Sequence, residues 1–162
     1  MNTNITVAMR AEPARIFELA ARVEDWPVLL PHYRWVRVLH DDGRRRLVEM
    51  AARRDRIPVR WTAVQERYPE EGRITFHHVR GATRGMDVAW TLRPIDPPGT
   101  TLVRIWHGFE PGWPLVPPRL VDLVVGHYFV NGIAARTLAG LRAHAEGTGH
   151  GAQSTDAPAY RA

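Results

Sequence analysis

The chain contains no cysteine and no lysine, and its only serine is Ser154, near the C-terminus. The absence of cysteine excludes disulfides, thiolate nucleophiles and cysteine-based zinc sites. No apolar run reaches the ~18 residues that a membrane-spanning helix needs, and no charged-then-apolar leader begins the chain. We therefore expect a cytoplasmic protein without stable membrane insertion, and no serine or cysteine hydrolase.

The composition is that of an ordinary globular domain. Of 162 residues, 44% are hydrophobic and 24% are charged, enough for a real hydrophobic core. From residue 147 onward the chain is rich in Gly, Ser, Thr and Ala and shows no periodicity. We expect one domain over residues 1–146 and a disordered tail over residues 147–162.

All 22 basic residues are arginine, and the formal net charge is +5. Such a charge is compatible with an acidic partner such as nucleic acid, or with arginines scattered over solvated strand faces. The second interpretation is favoured, because no helix-turn-helix spacing and no interleaving of aromatic and basic residues on one face is present. We expect no nucleic-acid partner.

Short alternating segments dominate the first two thirds of the chain. Ile5–Arg10 predicts a first strand, Glu12-Pro13 opens a helix that Trp26-Pro27 ends, and Val28–Tyr33 is a short helical or irregular piece. Six further strand candidates are separated by turn sequences rich in Gly, Pro and Asp: Arg34–Leu39, Arg46–Arg53, Val59–Arg67, Arg73–Val79, Asp87–Arg93 and Leu102–Phe109. Six consecutive strands at this spacing predict an antiparallel meander.

A long helix follows the stiff linker Pro111–Pro118. Over Pro118–Glu146 an apolar stripe recurs at helical spacing, interrupted by His127 and Asn131. At 1.5 Å per residue this helix would be roughly 42 Å long, enough to cross a small sheet. The order predicts an α+β fold, and the two polar residues on an apolar stripe suggest a cavity beneath the helix.

Over about residues 4–146 this order resembles the START-like (SRPBCC, helix-grip) superfamily. Within it the closest resemblance is to the polyketide cyclase/dehydrase and aromatase/cyclase group, carried by Trp26, Tyr33, Arg67 after Glu66, Trp90 in DVAWTL, His107 in RIWHGF and Asn131. The resemblance implies a curved antiparallel sheet of about seven strands wrapped around the long C-terminal helix, with two short helices after the first strand and a ligand cavity between. Two positions depart from the family pattern: His107 replaces a frequent Gln, and Ala63 replaces a Trp while Trp61 lies two residues earlier.

The resemblance also implies a cofactor-independent enzyme that cyclises and dehydrates a polyketide-like chain. Arg67 would polarise a carbonyl, Tyr33 would donate or relay a proton, and His107 would act as general acid or base. The residues expected to bind substrate are aromatic or lie on the helix stripe: Trp26, Trp61, Phe76, Trp90, His127 and Asn131. The partner is a hydrophobic small molecule, delivered in one interpretation by an acyl carrier protein to a monomer or homodimer.

Each catalytic candidate has a structural alternative. Arg67 alternatively lies beyond the cavity rim in an ion pair with Glu70 or Glu71, and Tyr33 alternatively lies at the rim. The strand face of His107 is otherwise apolar, so a hydrogen-bonded core histidine is an equal interpretation.

The binding candidates and the function have alternatives too. Trp26 alternatively caps the core, and His127 and Asn131, one turn apart, alternatively bond to each other. We expect no metal, because His77 and His78 are adjacent and point to opposite faces, and no carboxylate is spaced to complete another site. The alternative function is a non-catalytic binding or transport protein for a lipid, quinone or other hydrophobic metabolite.

Overall fold

A computed structural model describes residues 2–110 and 131–147. Its strands are β1 Asn2–Met9, β2 Tyr33–Asp41, β3 Arg45–Arg54, β4 Ile57–Tyr68, β5 Arg73–Gly81, β6 Asp87–Ile95 and β7 Thr100–Gly108. Its α-helices are α1 Pro13–Ala21, α2 Trp26–Leu29 and α3 Asn131–Gly147, and short 3-10 turns cover Val23–Asp25 and Pro69–Glu71.

The seven strands form one antiparallel sheet in the order β1-β7-β6-β5-β4-β3-β2. Strands β2 to β7 are a meander, as predicted, while α1 and α2 carry the chain from β1 at one edge to β2 at the other. Register shifts interrupt the pairing twice in β2 and once between β4 and β5. Such bulges bend and twist the strands, which favours a sheet that curves around the helix.

The segment after α1 differs from the prediction in one respect. Trp26-Pro27 does not end the first helix: α1 ends at Ala21, and Trp26 begins α2 with Pro27 in its first turn. Proline suits this position because a first-turn residue needs no backbone N–H donor. The indole Nε1 of Trp26 donates to the carbonyl of Leu19 at 3.0 Å, so α2 is tied to α1 and Trp26 is buried.

Only the C-terminal part of the predicted long helix lies within the described residues, and that part is helical. Leu138 and Leu141 are completely buried on the face of α3 that packs against β1, β3, α1 and α2. Gly140 lets Leu30 approach the helix backbone, since a Cβ there would overlap the leucine side chain. No described helix is both long enough and apolar enough to cross a bilayer.

Candidate functional site: an aromatic cavity

A cavity of about 90 Å³ lies between α3 and the inner face of the sheet. Its aromatic lining comes from α2 and four strands: Trp26, Tyr33, Trp61, Phe76 and Trp90. Its polar lining is two imidazoles and two hydroxyls beside the phenol of Tyr33: His78, Thr83, His107 and Thr137. The remaining lining is aliphatic: Met50, Val59, Met86, Val88, Ile105, Ile133 and Ala134.

The aromatic rings form a connected wall. Trp26 lies at its centre, with ring centroids 4.9 Å from Tyr33 in an edge-to-face contact and 6.0 Å from Trp90. Tyr33 in turn lies 6.3 Å from Trp61. Distances and tilts of this kind are the preferred geometry of aromatic pairs. The wall is therefore rigid and offers several flat faces to a ligand.

The phenol of Tyr33 is held near one end of this wall by α3. Thr137 donates its hydroxyl hydrogen to the carbonyl of Ile133 at 2.8 Å, and its oxygen lies 3.0 Å from Nε2 of His32 and 3.4 Å from the Tyr33 hydroxyl. Because the one hydrogen of Thr137 is committed to Ile133, Tyr33 is free to donate its own to Thr137 or to a ligand. Burial raises the pKa of Tyr33, an effect that the Thr137 contact partly offsets, so the phenol is a donor and not a phenolate.

His107 is one of the two described histidines that line the cavity. It is buried on β7, and its Nδ1 lies 3.2 Å from the hydroxyl of Thr3 on the neighbouring strand β1. Burial lowers its pKa to about 4. At neutral pH its ring is therefore uncharged, with Nε2 making no hydrogen bond to any described residue.

His78 is the second described histidine that lines the cavity. The sequence interpretation considered it only as a metal ligand. It is buried on β5 with its Nδ1 2.7 Å from the hydroxyl of Thr83, and its ring stacks on Trp61 at 5.8 Å and 12°. Burial lowers its pKa to about 3, with a smaller contribution from His107. Strand parity was the available signal, because His78 follows Phe76 by two residues and so shares its inward face.

The electrostatic character of the cavity follows from its lining. None of the described residues that line it is Asp, Glu or Arg, and the histidines are neutral near pH 7. An ionised ligand group would lose its hydration there without gaining a counter-charge, which is costly. The described lining therefore favours an uncharged, largely aromatic ligand that makes a few hydrogen bonds.

Arg67 does not converge on this cavity. Its guanidinium lies 3.2 Å from Asp41 Oδ1 and donates to the carbonyl of Gly43, and its side chain lines a surface groove beside α1. Arg67 shares the strand face of Trp61 and Gln65, but α1 covers that end of β4: Gln65, two residues earlier, already donates to the carbonyl of Ala21 at 2.9 Å. Arg67 thus lies past the end of the cavity, in an ion pair with Asp41 instead of Glu70 or Glu71.

The other predicted site residues fall into two groups. Those that line the cavity are Trp26, Tyr33, Trp61, Phe76, Trp90 and His107. Asn131 begins α3, but its side chain lies outside what the structure describes, and His127 lies outside the described residues altogether. Within residues 2–110 and 131–147, no three His, Asp or Glu side chains come together as metal ligands.

The sheet, the helix across it and the cavity between them define a helix-grip domain. Residues 9–123 match the family described as polyketide cyclase / dehydrase and lipid transport, and the chain belongs to that family. No curated protein matches the sequence.

Solved structures share the fold at low sequence identity. The Zhui aromatase/cyclase from Streptomyces sp. R1128 has a TM-score of 0.81 and 15% identity, over 96% of this chain and 99% of that one. A protein from Thermus thermophilus has a TM-score of 0.78 and 20% identity, over 91% and 99%. A START superfamily protein from Mycobacterium smegmatis has a TM-score of 0.73 and 19% identity, over 91% and 98%. These likenesses confirm the predicted helix-grip fold.

Proposed function

We propose that this protein is an aromatase/cyclase that folds an uncharged polyketide-like chain in its cavity and promotes aldol cyclisation and loss of water. The observation that carries the proposal is the pairing of an aromatic wall with His107 and Tyr33 in a lining without described charges. Membership of the polyketide cyclase / dehydrase and lipid transport family supports it, and so does the shared fold of an aromatase/cyclase. We further propose that the chain arrives on an acyl carrier protein.

In the proposed reaction, His107 donates its Nδ1–H to the hydroxyl of Thr3, and its unprotonated Nε2 takes a proton from a methylene that lies between two carbonyls of the chain. The resulting enolate carbon attacks a more distant carbonyl, forming the new carbon–carbon bond. Tyr33 donates a proton to the alkoxide so formed, and the proton held by His107 restores the phenol. His107 then takes the second α-proton and passes it to the hydroxyl, which leaves as water, and enolisation of the remaining ring carbonyls gives the aromatic ring.

The protein contributes two effects of different size. A positioned general base typically contributes ~10²-fold or more, and holding a long flexible chain with its reacting carbons in contact contributes several kcal/mol. The wall of Trp26, Trp61 and Trp90 serves the second effect, because flat faces at fixed angles select one folded conformation of the chain. A dry cavity also suppresses competing addition of water.

A reconstituted assay with a minimal polyketide synthase supplying an acyl-carrier-bound poly-β-keto chain tests the proposal. We expect the purified protein to raise the rate of formation of one cyclised aromatic product, and His107→Phe to lower that rate by roughly 100-fold. His77→Phe is the matched control, because His77 is the neighbouring histidine on the outer face, exposed and bonded to Asp87. The same product rate with wild type, with His107→Phe and without protein would contradict the proposal.

The position of Arg67 favours a second candidate, a carrier that binds a hydrophobic metabolite without changing it. With Arg67 outside the cavity, the described lining holds no cation to stabilise an enolate. The two functions separate in one measurement. A carrier returns its ligand chemically unchanged after prolonged incubation and protects it from spontaneous cyclisation, whereas the enzyme accelerates the disappearance of the chain.

A further inference from the structure

His78 is held from both sides by the loop that joins β5 to β6. Its backbone N–H donates to the carbonyl of Met86 at 2.9 Å, and its carbonyl accepts from the N–H of Gly85 at 2.8 Å. The same loop places Thr83, whose hydroxyl lies 2.7 Å from Nδ1 of His78. Stacking of the ring on Trp61 fixes its plane. Backbone, hydroxyl and ring contacts together leave this imidazole little freedom to rotate.

The hydrogen bond between Thr83 and Nδ1 assigns the tautomer of His78. Thr83 is buried, and its hydroxyl makes no other hydrogen bond among the described residues. If Nδ1 carried the ring hydrogen, both the hydroxyl hydrogen of Thr83 and the lone pair of Nε2 would lack a partner among the described residues, whereas a hydroxyl that donates to Nδ1 leaves only the Nε2–H without one. The hydroxyl therefore donates to Nδ1, and the ring hydrogen is on Nε2.

The Nε2–H of His78 has no acceptor among the described residues, and the ring lines the cavity. Across the sheet, Phe76 pairs with Val88 and Val88 pairs with His107, so these three form one inward row. His78 lies two residues further along β5. Two strand spacings separate its strand from that of His107, about 10 Å. One bicyclic or folded ligand can therefore contact both histidines.

We propose that His78 is the fixed hydrogen-bond donor of the cavity, and that the ligand presents a carbonyl or enolate oxygen to its Nε2–H. Neutral histidines act in this way elsewhere, polarising a carbonyl as imidazole and not as imidazolium. His78 thus has the role that the sequence predicted for Arg67, and it polarises the carbonyl with an N–H dipole instead of a positive charge. Thr83 is its positioning residue. The enolate part of the inference rests on the proposed function, whereas donation to a carbonyl does not.

The tautomer is measured directly by long-range ¹H–¹⁵N spectra of protein labelled in histidine. We expect the His78 ring at pH 7 to carry its hydrogen on Nε2, and Thr83→Val, which removes only the hydroxyl, to bring in the Nδ1–H form. The Nε2–H form in wild type supports the inference. A ring protonated at Nδ1 in wild type overturns it, because Nε2 would then be an acceptor.

The donor is tested by a matched pair of small probes, acetophenone and ethylbenzene, which differ in a carbonyl oxygen. We expect His78→Phe, which keeps a flat ring against Trp61, to weaken acetophenone binding about tenfold and to change ethylbenzene binding by less than about twofold. His78→Gln, which keeps an N–H donor, is expected to recover part of the loss. Chemical-shift titration gives each dissociation constant, and His77→Phe is again the outer-face control.

Equal losses for both probes in His78→Phe would mean a packing role only and would overturn the inference. If His78→Phe and Thr83→Val do not fold, the tautomer and the preference of wild type for acetophenone over ethylbenzene still decide it: no preference overturns it. The proposed function fails separately. A donor confirmed by the probes in a protein that cyclises nothing leaves His78 as a ligand-reading residue of a carrier, whereas cyclisation unaffected by His78→Phe removes its enolate role alone.

Discussion

The inner face of β4 is divided into two regions of opposite character. At one end Trp61 and Ala63 belong to the cavity side, where the described lining is aromatic and without charge. At the other end Gln65 and Arg67 lie beneath or beside α1, among arginines and carboxylates. Both ends share one strand and one strand face, so their sequence pattern is the same. The difference arises entirely from what covers each end.

In the region under α1, charges are matched among the protein's own groups. Arg46 is 3% exposed, with its guanidinium 2.9 Å from Glu24 and 3.1 Å from Asp41. Burial acts to raise the pKa of Glu24, but the hydrogen bond and charge of Arg46 outweigh it, so the pKa is lowered. In the cavity, by contrast, the described polar groups are neutral and keep hydrogen-bonding capacity for a ligand. The buried charge of Arg46 is thus paired within the protein, whereas some neutral hydrogen-bonding groups of the described cavity lining are not.

The largest expected effect is a loss of folding stability at low pH, and it comes from the histidines of the cavity. His78 and His107 have pKa values of about 3 and 4 in the folded protein, below the ordinary value of 6.5. Well above pH 6.5 both histidines are neutral in the folded and in the unfolded protein, so they do not make the unfolding free energy depend on pH. As the pH falls below 6.5 the unfolded chain binds protons that the folded cavity resists, and stability falls. At pH 5 we expect a loss of about 2 kcal/mol for each histidine.

Urea denaturation at pH 7 and pH 5 measures this loss. Since glutamine does not titrate, His107→Gln should lower the difference in unfolding free energy between the two pH values by the contribution of one histidine, about 2 kcal/mol. A wild-type stability that is the same at both pH values would mean that the cavity histidines are solvated.

The next largest effect on the unfolding free energy is expected from a substitution in the region under α1. Arg46→Met retains much of the volume but removes the charge between Glu24 and Asp41, and we expect the unfolding free energy to fall by about 2 kcal/mol. The two carboxylates are partly exposed, so water limits the loss. The matched control is Arg45→Met, because Arg45 is exposed and its guanidinium lies 3.7 Å from Glu66, a looser ion pair. We expect that substitution to change the unfolding free energy by less than about 0.5 kcal/mol. Equal losses for both variants would contradict a structural role for Arg46.

Tyr33→Phe tests the cavity with a smaller change. It removes one hydroxyl and leaves the ring contacts with Trp26 and Trp61 in place. We expect cyclised product to form about tenfold more slowly, the effect of one hydrogen bond, with unfolding little changed. Tyr68→Phe is the control, because its hydroxyl bonds Glu66 outside the cavity. An unaltered rate in Tyr33→Phe would assign Tyr33 to the wall alone.

The smallest expected effect is that of Arg67→Ala. Because the guanidinium contacts Asp41 and Gly43 beyond the cavity, the ratio of cyclised products is expected to stay as in wild type, with a stability change below about 1 kcal/mol. Product analysis by chromatography checks the first expectation and thermal unfolding the second. A changed product ratio would give Arg67 a role in the mechanism and would contradict the division of β4 into a cavity end and an end under α1.

The strand order and the inward faces could be predicted from the sequence, because alternation of apolar residues and turn chemistry are local properties. Parity placed Trp61 on the face of β4 that it shares with Arg67 and placed His107 on the apolar face of β7, whereas Phe76 was a binding candidate for its aromatic ring. Parity could not tell Arg67 from Trp61, since it reports a face and not what covers it. Nor did it single out His78, which was considered only as a metal ligand and was set aside because it and the adjacent His77 point to opposite faces.

Periodicity and turn chemistry in the sequence therefore predicted a six-strand meander, an α+β fold and an aromatic site, and the family resemblance implied the helix-grip arrangement. Only the tertiary structure decided where the cavity ends and which polar groups it contains. The position of α1 over β4 separates Arg67 from Tyr33, and the β5–β6 loop brings Thr83 to His78. Contacts between residues distant along the chain have no local signature, and they set hydrogen bonding and pKa values.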